Sequence, residues 1–127
     1  MTTSKTVLVA DDEIHIRRVI ELKLGINGYR VITAANGREA LKQVYDCRPD
    51  AVITDINMPG MDGKQLCLAM DELKDLKSFL TIIITARIST DEKNWIRPLR
   101  DTCFMEKPFS PSKIVGELNH YFTGKTR

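Results

Sequence analysis

Five short runs of apolar, largely β-branched residues, each followed by a longer amphipathic stretch, constrain this chain more than any other feature. They are "TVLVA" (6–10), "RVITA" (30–34), "AVIT" (51–54), "LTIIIT" (80–85) and "TCFME" (102–106). Runs of this length and content read as strands. Strands that are nearly all apolar need cover on both faces, which a parallel sheet between two helical layers provides. The intervening stretches supply the helices. Ile16, Ile20 and Leu24 recur every four residues in a helix that begins near Ile14 and stops around Gly25 and Asn27-Gly28. Asn36 stands three residues before Glu39 as a helix start, and Leu41, Val44 and Tyr45 form the apolar side of that second helix. Leu66, Met70 and Leu73 mark the third. Ser89 and Glu92 form a capping box for a fourth that Pro98 should shorten or bend. Ser110-Pro111 opens a fifth, with Ile114, Val115 and Leu118 facing inward.

The expected architecture is therefore (βα)5, a doubly wound α/β domain with right-handed crossovers. No repeat, low-complexity tract or linker interrupts it, so residues 1–127 read as one domain with a core of about 5–123. A chain of 127 residues that is 43% hydrophobic can bury one substantial core without disulfides or a structural metal. Net charge is +2, with basic residues single or paired (Arg17-Arg18) and acids interleaved, so no direct nucleic-acid binding is expected. Three cysteines without metal-type spacing leave an odd thiol, which favours a reducing compartment. The start "MTTSKTVLVADDE" has no signal-peptide pattern, and no stretch approaches membrane-spanning length. A cytoplasmic, membrane-free protein is the expectation.

In sheets of this kind ligands bind beyond the carboxyl ends of the strands, at the switch point. Strand one ends in Asp11-Asp12-Glu13, strand three in Asp55, strand four in Thr85 and strand five in Lys107-Pro108. If the sheet runs in the order 2-1-3-4-5, these ends are neighbours and their side chains share one crevice. Carboxylates packed together repel unless a cation compensates them. Mg²⁺ suits few carboxylates, a carbonyl and retained waters. A phosphoryl group would complete the charge balance, with Thr85 hydrogen-bonding one oxygen and Lys107 neutralising another. Such a site promotes in-line phosphoryl transfer by position and charge. The acceptor would be a carboxylate, forming an acyl phosphate.

The four segments "VLVADDE", "TDINMPGMDG", "IIITA" and "FMEKPF", in this order and at these strand ends, resemble the receiver domain of bacterial two-component response regulators, similar to the chemotaxis-type single-domain receiver. The resemblance spans essentially the whole chain and brings with it the flavodoxin-like strand order 2-1-3-4-5. It implies that Asp55 is the phosphoacceptor. Asp12 would ligate Mg²⁺ directly, Asp11 would hold a metal-bound water or share ligation, and the backbone carbonyl of Asn57 would be the third protein ligand. Thr85 and Lys107 would bind phosphoryl oxygens. The Lys107-Pro108 bond would be cis, in a bend that aims the lysine inward. Phe104 falls at the switch aromatic, moving inward as Thr85 moves towards the phosphoryl group. Asn57 and Arg87 occupy the two flanking positions that tune phosphoryl lifetime. The donor would be a histidine kinase or histidine phosphotransfer protein, and the target an unnamed downstream protein or output domain.

Plainer roles stand beside these. Asp11 and Asp12 also suit the start of a helix, Thr85 suits any β run, and Lys107 suits a solvated surface. Phe104 and Trp95 suit core packing, with a partner contact as the other role for Trp95. His15 belongs on an exposed first helical turn, and the cysteines suit small core or surface positions. Arg100-Asp101 stands where receivers carry a small Gly-Ala-like pair, and Pro98 where their fourth helix continues. Both lie on the face of helix four, strand five and helix five that the family uses for output and dimerisation.

Three functions compete: the phosphorylation-activated signalling module, not an enzyme beyond its own phosphorylation and dephosphorylation; a Mg²⁺-dependent phosphohydrolase with Asp55 as nucleophile; and a phosphate-independent interaction domain. Hydrolases place a second acid two residues after the nucleophile, where this chain has Asn57. The intact Asp12, Asp55, Thr85 and Lys107 oppose the third. The chain reads equally as a stand-alone receiver or as one domain of a larger regulator or hybrid kinase.

Overall fold

The computed structural model describes residues 4–124. Its elements run β1 (Thr6–Ala10), α1 (Ile14–Ile26), β2 (Arg30–Ala34), α2 (Gly37–Cys47), β3 (Ala51–Thr54), α3 (Gly63–Leu73), β4 (Leu80–Thr85), α4 (Thr90–Ile96), β5 (Thr102–Glu106) and α5 (Pro111–Thr123). All four strand pairs are parallel and the sheet order is β2-β1-β3-β4-β5, the flavodoxin-like order expected. Alternation along each strand splits the core in two. Leu8, Ala10, Val52 and Ile83 face α2, α3 and α4. Val7, Val9, Ile53, Ile82 and Ile84 face α1 and α5. The three central strands are almost wholly buried, whereas the edge strands β2 and β5 are only partly covered.

Local chemistry sets the helix ends. Asn36 accepts from the Glu39 N–H at 2.8 Å, and Asp62 caps α3 through Lys64 N–H at 2.9 Å. Ser89 and Glu92 make both halves of the capping box. Helix α4 has only 7 residues and stops before Pro98, whose ring cannot continue it. One expectation needs refining and one correcting. Ser110 does stand at the N-cap of α5 with Pro111 opening the helix, but only its carbonyl takes part, receiving Lys113 and Ile114, while its side chain makes no cap bond. Tyr45 is 60% exposed rather than part of the inward side, which is carried by Ala40, Leu41 and Val44. Among the described residues, no helix is long and apolar enough to cross a membrane.

Arg100-Asp101 is accommodated by a clasp from the end of α3. Arg100 donates its N–H to Asp71 Oδ1 at 2.9 Å and its guanidinium to Asp75 Oδ1 at 2.7 Å. Asp101 takes the left-handed conformation, φ 47°, that a glycine adopts at no cost. Lys74, 6% exposed, donates to the Arg100 carbonyl and to Thr102 Oγ1, with its ammonium 4.9 Å from the Phe79 ring centre. Burial lowers the Lys74 pKa from 10.5 to about 8, although Asp71 and Asp101 nearby favour the charged form. The unfolded chain keeps this proton up to 10.5 while the folded chain releases it near 8. Stability due to Lys74 therefore rises with pH across that window. In urea melts, wild type should gain on Lys74→Met by about 2 kcal/mol between pH 8 and 10.5. A difference that stays constant with pH contradicts this desolvated state.

Candidate functional site

Register carries the chemistry to one end of the sheet. Ala10 pairs with Ala34 and Thr54, and Thr85 with Glu106, so Asp11, Asp55 and Lys107 each emerge one residue beyond a paired position. Backbone bonds continue the ladder past the side chains: Asp11 N–H to Ala34 O at 3.1 Å, Asp55 N–H to Ala10 O at 3.1 Å, and Lys107 N–H to Thr85 O at 2.7 Å. The Lys107-Pro108 peptide is cis, as the resemblance implied.

Lys107 Nζ lies 2.8 Å from Asp55 Oδ2, 3.7 Å from Asp11 Oδ2 and 4.0 Å from Glu13 Oε1. The Asp11 and Asp55 side chains are only 4% and 6% exposed, so their charges interact in a medium far less screening than water. Burial raises the Asp11 pKa above its ordinary 3.8 against the lowering effects of the Glu13 N–H and Lys107, and the nearby Asp55 and Asp12 carboxylates push it further up. Burial alone would lower the Lys107 pKa, but the hydrogen bond to Asp55 and the Asp11, Asp55 and Glu13 charges outweigh it and raise it. Asp12 is exposed at the mouth. Asn57, itself exposed, links Asp55 and Thr85, its N–H on Asp55 Oδ1 at 2.8 Å and its side-chain amide on Thr85 Oγ1 at 2.9 Å. Thr85 is fully buried, Arg87 is exposed in the loop after β4, and Phe104 on β5 is 39% exposed. His15 is exposed, and Trp95 packs from α4 against the core.

Asp11, Asp55, Asn57, Thr85 and Lys107 thus meet in one crevice. The structure does not bring Phe104, on β5, or Arg87, exposed in the β4–α4 loop, into the hydrogen-bond network of Asp55, which runs to Asn57 and Lys107. Glu13, counted with the acids that end strand one but given no role of its own, extends the acid cluster around Lys107, and the Arg17 guanidinium, which had no place in the sequence-based site, holds the Asp11 carbonyl at 2.7 Å. Their positions on the strand-to-helix connection and the first turn of α1 are the signal, since both follow directly from the acids of β1. A groove of about 470 Å³ lies elsewhere, between α2 and α3 around Leu41, Tyr45 and Leu73.

Among the described residues no three His, Cys, Asp or Glu side chains are grouped as a metal cage. The donors present are instead a buried carboxylate whose charge is under-compensated (Asp11), the Asp55 carboxylate, the exposed Asp12 and the Asn57 carbonyl. All are hard oxygen donors and few in number, which is the set Mg²⁺ accepts.

Residues 7–119 match the family "Response regulator receiver domain". The chain is 37% identical over 114 residues, 90% of its length, to the "Probable transcriptional regulator ycf27" of Cyanophora paradoxa. It is 34% identical over 111 residues to the "Alkaline phosphatase synthesis transcriptional regulatory protein PhoP" of Bacillus subtilis. It spans about half the length of these relatives, 46% and 45%. Among solved structures, the chemotaxis response regulator CheY4 of Vibrio cholerae superposes with a TM-score of 0.82 at 34% identity, covering 93% of this chain and 98% of that one. With fold, strand order and family match in agreement, this chain belongs to the response regulator receiver domain family.

Proposed function

We propose that Asp55 accepts a phosphoryl group from the phosphohistidine of a histidine kinase or histidine phosphotransfer protein, and that the acyl phosphate biases a switch read by a downstream protein or output domain. The observation that carries this reading is the Asp55 carboxylate held between Lys107 Nζ at 2.8 Å and the Asn57 N–H at 2.8 Å, with Thr85 in the same network. A carboxylate oxygen of Asp55 forms the new P–O bond as the P–N bond breaks, and the bonding electron pair returns to the imidazole nitrogen. Lys107 turns its ammonium from the carboxylate to the phosphoryl oxygens, a charge-assisted contact that grows as negative charge gathers there. Thr85 donates its hydroxyl proton to another of those oxygens. Asp11, Asp12, Asp55 and the Asn57 carbonyl would hold Mg²⁺, which when bound would supply the remaining positive charge.

Several features support the rest of the reading. Ile14, Val19 and Leu22 on α1 are exposed, and α1 begins directly after the acids of the crevice, which gives a donor protein an apolar surface there. Phe104 stands exposed between grooves of about 370 and 360 Å³ on the β5 side, where rotation of its ring would alter the surface a partner meets. Asn57 supplies no second acid, which disfavours phosphoester hydrolysis, so the protein acts only on its own acyl phosphate. Residues 1–127 then form one cytoplasmic receiver that binds neither nucleic acid nor membrane.

Treatment with a small-molecule phosphodonor should add one phosphoryl group to the intact mass with Mg²⁺ present, little without it, and none in Asp55→Asn. An equal gain in Asp55→Asn sinks this reading.

A further inference from the structure

Thr85 is 0% exposed, so its hydroxyl has few possible partners. The amide of Asn57 donates to its Oγ1 at 2.9 Å. A hydroxyl has one proton and two acceptor sites. Because Asn57 is the donor, it occupies an acceptor site of Thr85 and leaves the hydroxyl proton uncommitted to Asn57. The same residue gives its backbone N–H to Asp55 Oδ1 at 2.8 Å. One short side chain therefore sets the direction of the Thr85 proton relative to the Asp55 carboxylate, across 28 residues of sequence. An acid at this position would do the opposite. A carboxylate accepts only, so it would take the Thr85 proton for itself.

Resting on the phosphoacceptor reading, we propose that the side-chain amide of Asn57 is a positioning residue for Thr85: it orients the hydroxyl so that its proton is free for a phosphoryl oxygen on Asp55, and so makes Asn57 and Thr85 one energetic unit. This role belongs to the amide. It is separate from the metal contact of the Asn57 carbonyl and from any effect of residue 57 on incoming water.

The consequence is non-additivity between the two side chains, which a double-mutant cycle measures. The probe is beryllofluoride with Mg²⁺, a phosphoryl mimic, its affinity followed by ¹⁹F resonance and by the fluorescence of Trp95. In the wild type, Thr85→Val should weaken retention about tenfold, as expected for one hydrogen bond to a charged group. In Asn57→Asp, where the hydroxyl proton is already captured, the same change should cost less than about twofold. Asn57→Ala should fall between, with Thr85 unoriented but not captured. A second readout needs no probe. Scalar couplings should place the free wild-type Thr85 side chain in one rotamer and show averaging in Asn57→Ala, a response that a purely structural loop residue would not produce. An equal tenfold loss in all backgrounds, or an averaged Thr85 in the wild type, overturns the inference while leaving the acceptor reading intact. A wild type that binds no mimic at Asp55 overturns the acceptor reading itself, and this inference with it.

Discussion

Lys107→Met should slow phosphoryl uptake by about 10²-fold, the usual cost of removing one preorganised group that stabilises developing negative charge. Single-turnover mass measurements with a small phosphodonor report it directly. The same substitution should lower stability at neutral pH by about 2 kcal/mol, because it strands the buried Asp11 and Asp55 carboxylates without their nearest cation. Lys107 is itself 20% exposed, which keeps the loss below that of a fully interior pair. The pH dependence carries a definite sign. Burial already raises the Asp11 pKa above 3.8, and Lys107 is one of the charges holding it down, so the variant raises it further. A carboxyl with a raised folded-state pKa loses stability as pH climbs through its unfolded value. The wild type should therefore pull ahead of the variant between about pH 4 and 7, and the two should converge below it. Denaturant melts at pH 4 and 7 that show the same difference would mean that Lys107 does not compensate these acids. The positive charge of Lys107 itself is fully present throughout this range, since its pKa is raised above 10.5.

Gly63→Ala should destabilise the fold by about 3 kcal/mol, the upper range for overpacking a rigid contact. A Cβ built at Gly63 would sit 2.3 Å from the Ile56 carbonyl oxygen and 2.6 Å from the Ile56 Cα. The obstacle is backbone, not a flexible side-chain end, so α3 or the β3–α3 loop must shift. Ile56 lies between Asp55 and Asn57, and the shift reaches both. Phosphoryl uptake should therefore fall with stability, including at temperatures where the variant remains folded. Gly116→Ala on α5 is the contrasting control: nothing lies within 4 Å of its added Cβ, and the change should stabilise by about 0.5–1 kcal/mol. Urea melts that rank the two substitutions the other way would contradict the close packing of α3 on the site loop.

The strands were legible because their signal is local. Runs such as "LTIIIT" can be buried only in a two-sided layer, and all five strands begin and end where the runs do. The acids, hydroxyl and lysine were found because each stands at the carboxyl end of such a run, and topology alone makes those ends adjacent. Side-chain direction was not legible. The Lys107–Asp55 contact joins residues 52 apart, and the Asn57–Thr85 bond depends on which amide atom faces the hydroxyl. Periodicity put Tyr45 on the boundary of an apolar face, where one step of rotation separates core from solvent. Arg100-Asp101 looked like a disruption of the loop before β5, because its partners Asp71, Lys74 and Asp75 come from the end of α3 and the turn after it, more than 20 residues upstream.

The central claim is that Asp55, and no other carboxylate of this acidic crevice, carries the phosphoryl group. Borohydride reduces an acyl phosphate to the alcohol, so the phosphorylated aspartate becomes homoserine and the modified position can be read by tandem mass spectrometry. After treatment with phosphodonor and Mg²⁺, homoserine should appear at residue 55 alone. Homoserine at Asp11 or Asp12, or none at residue 55 in protein that has gained phosphoryl mass, would contradict the account.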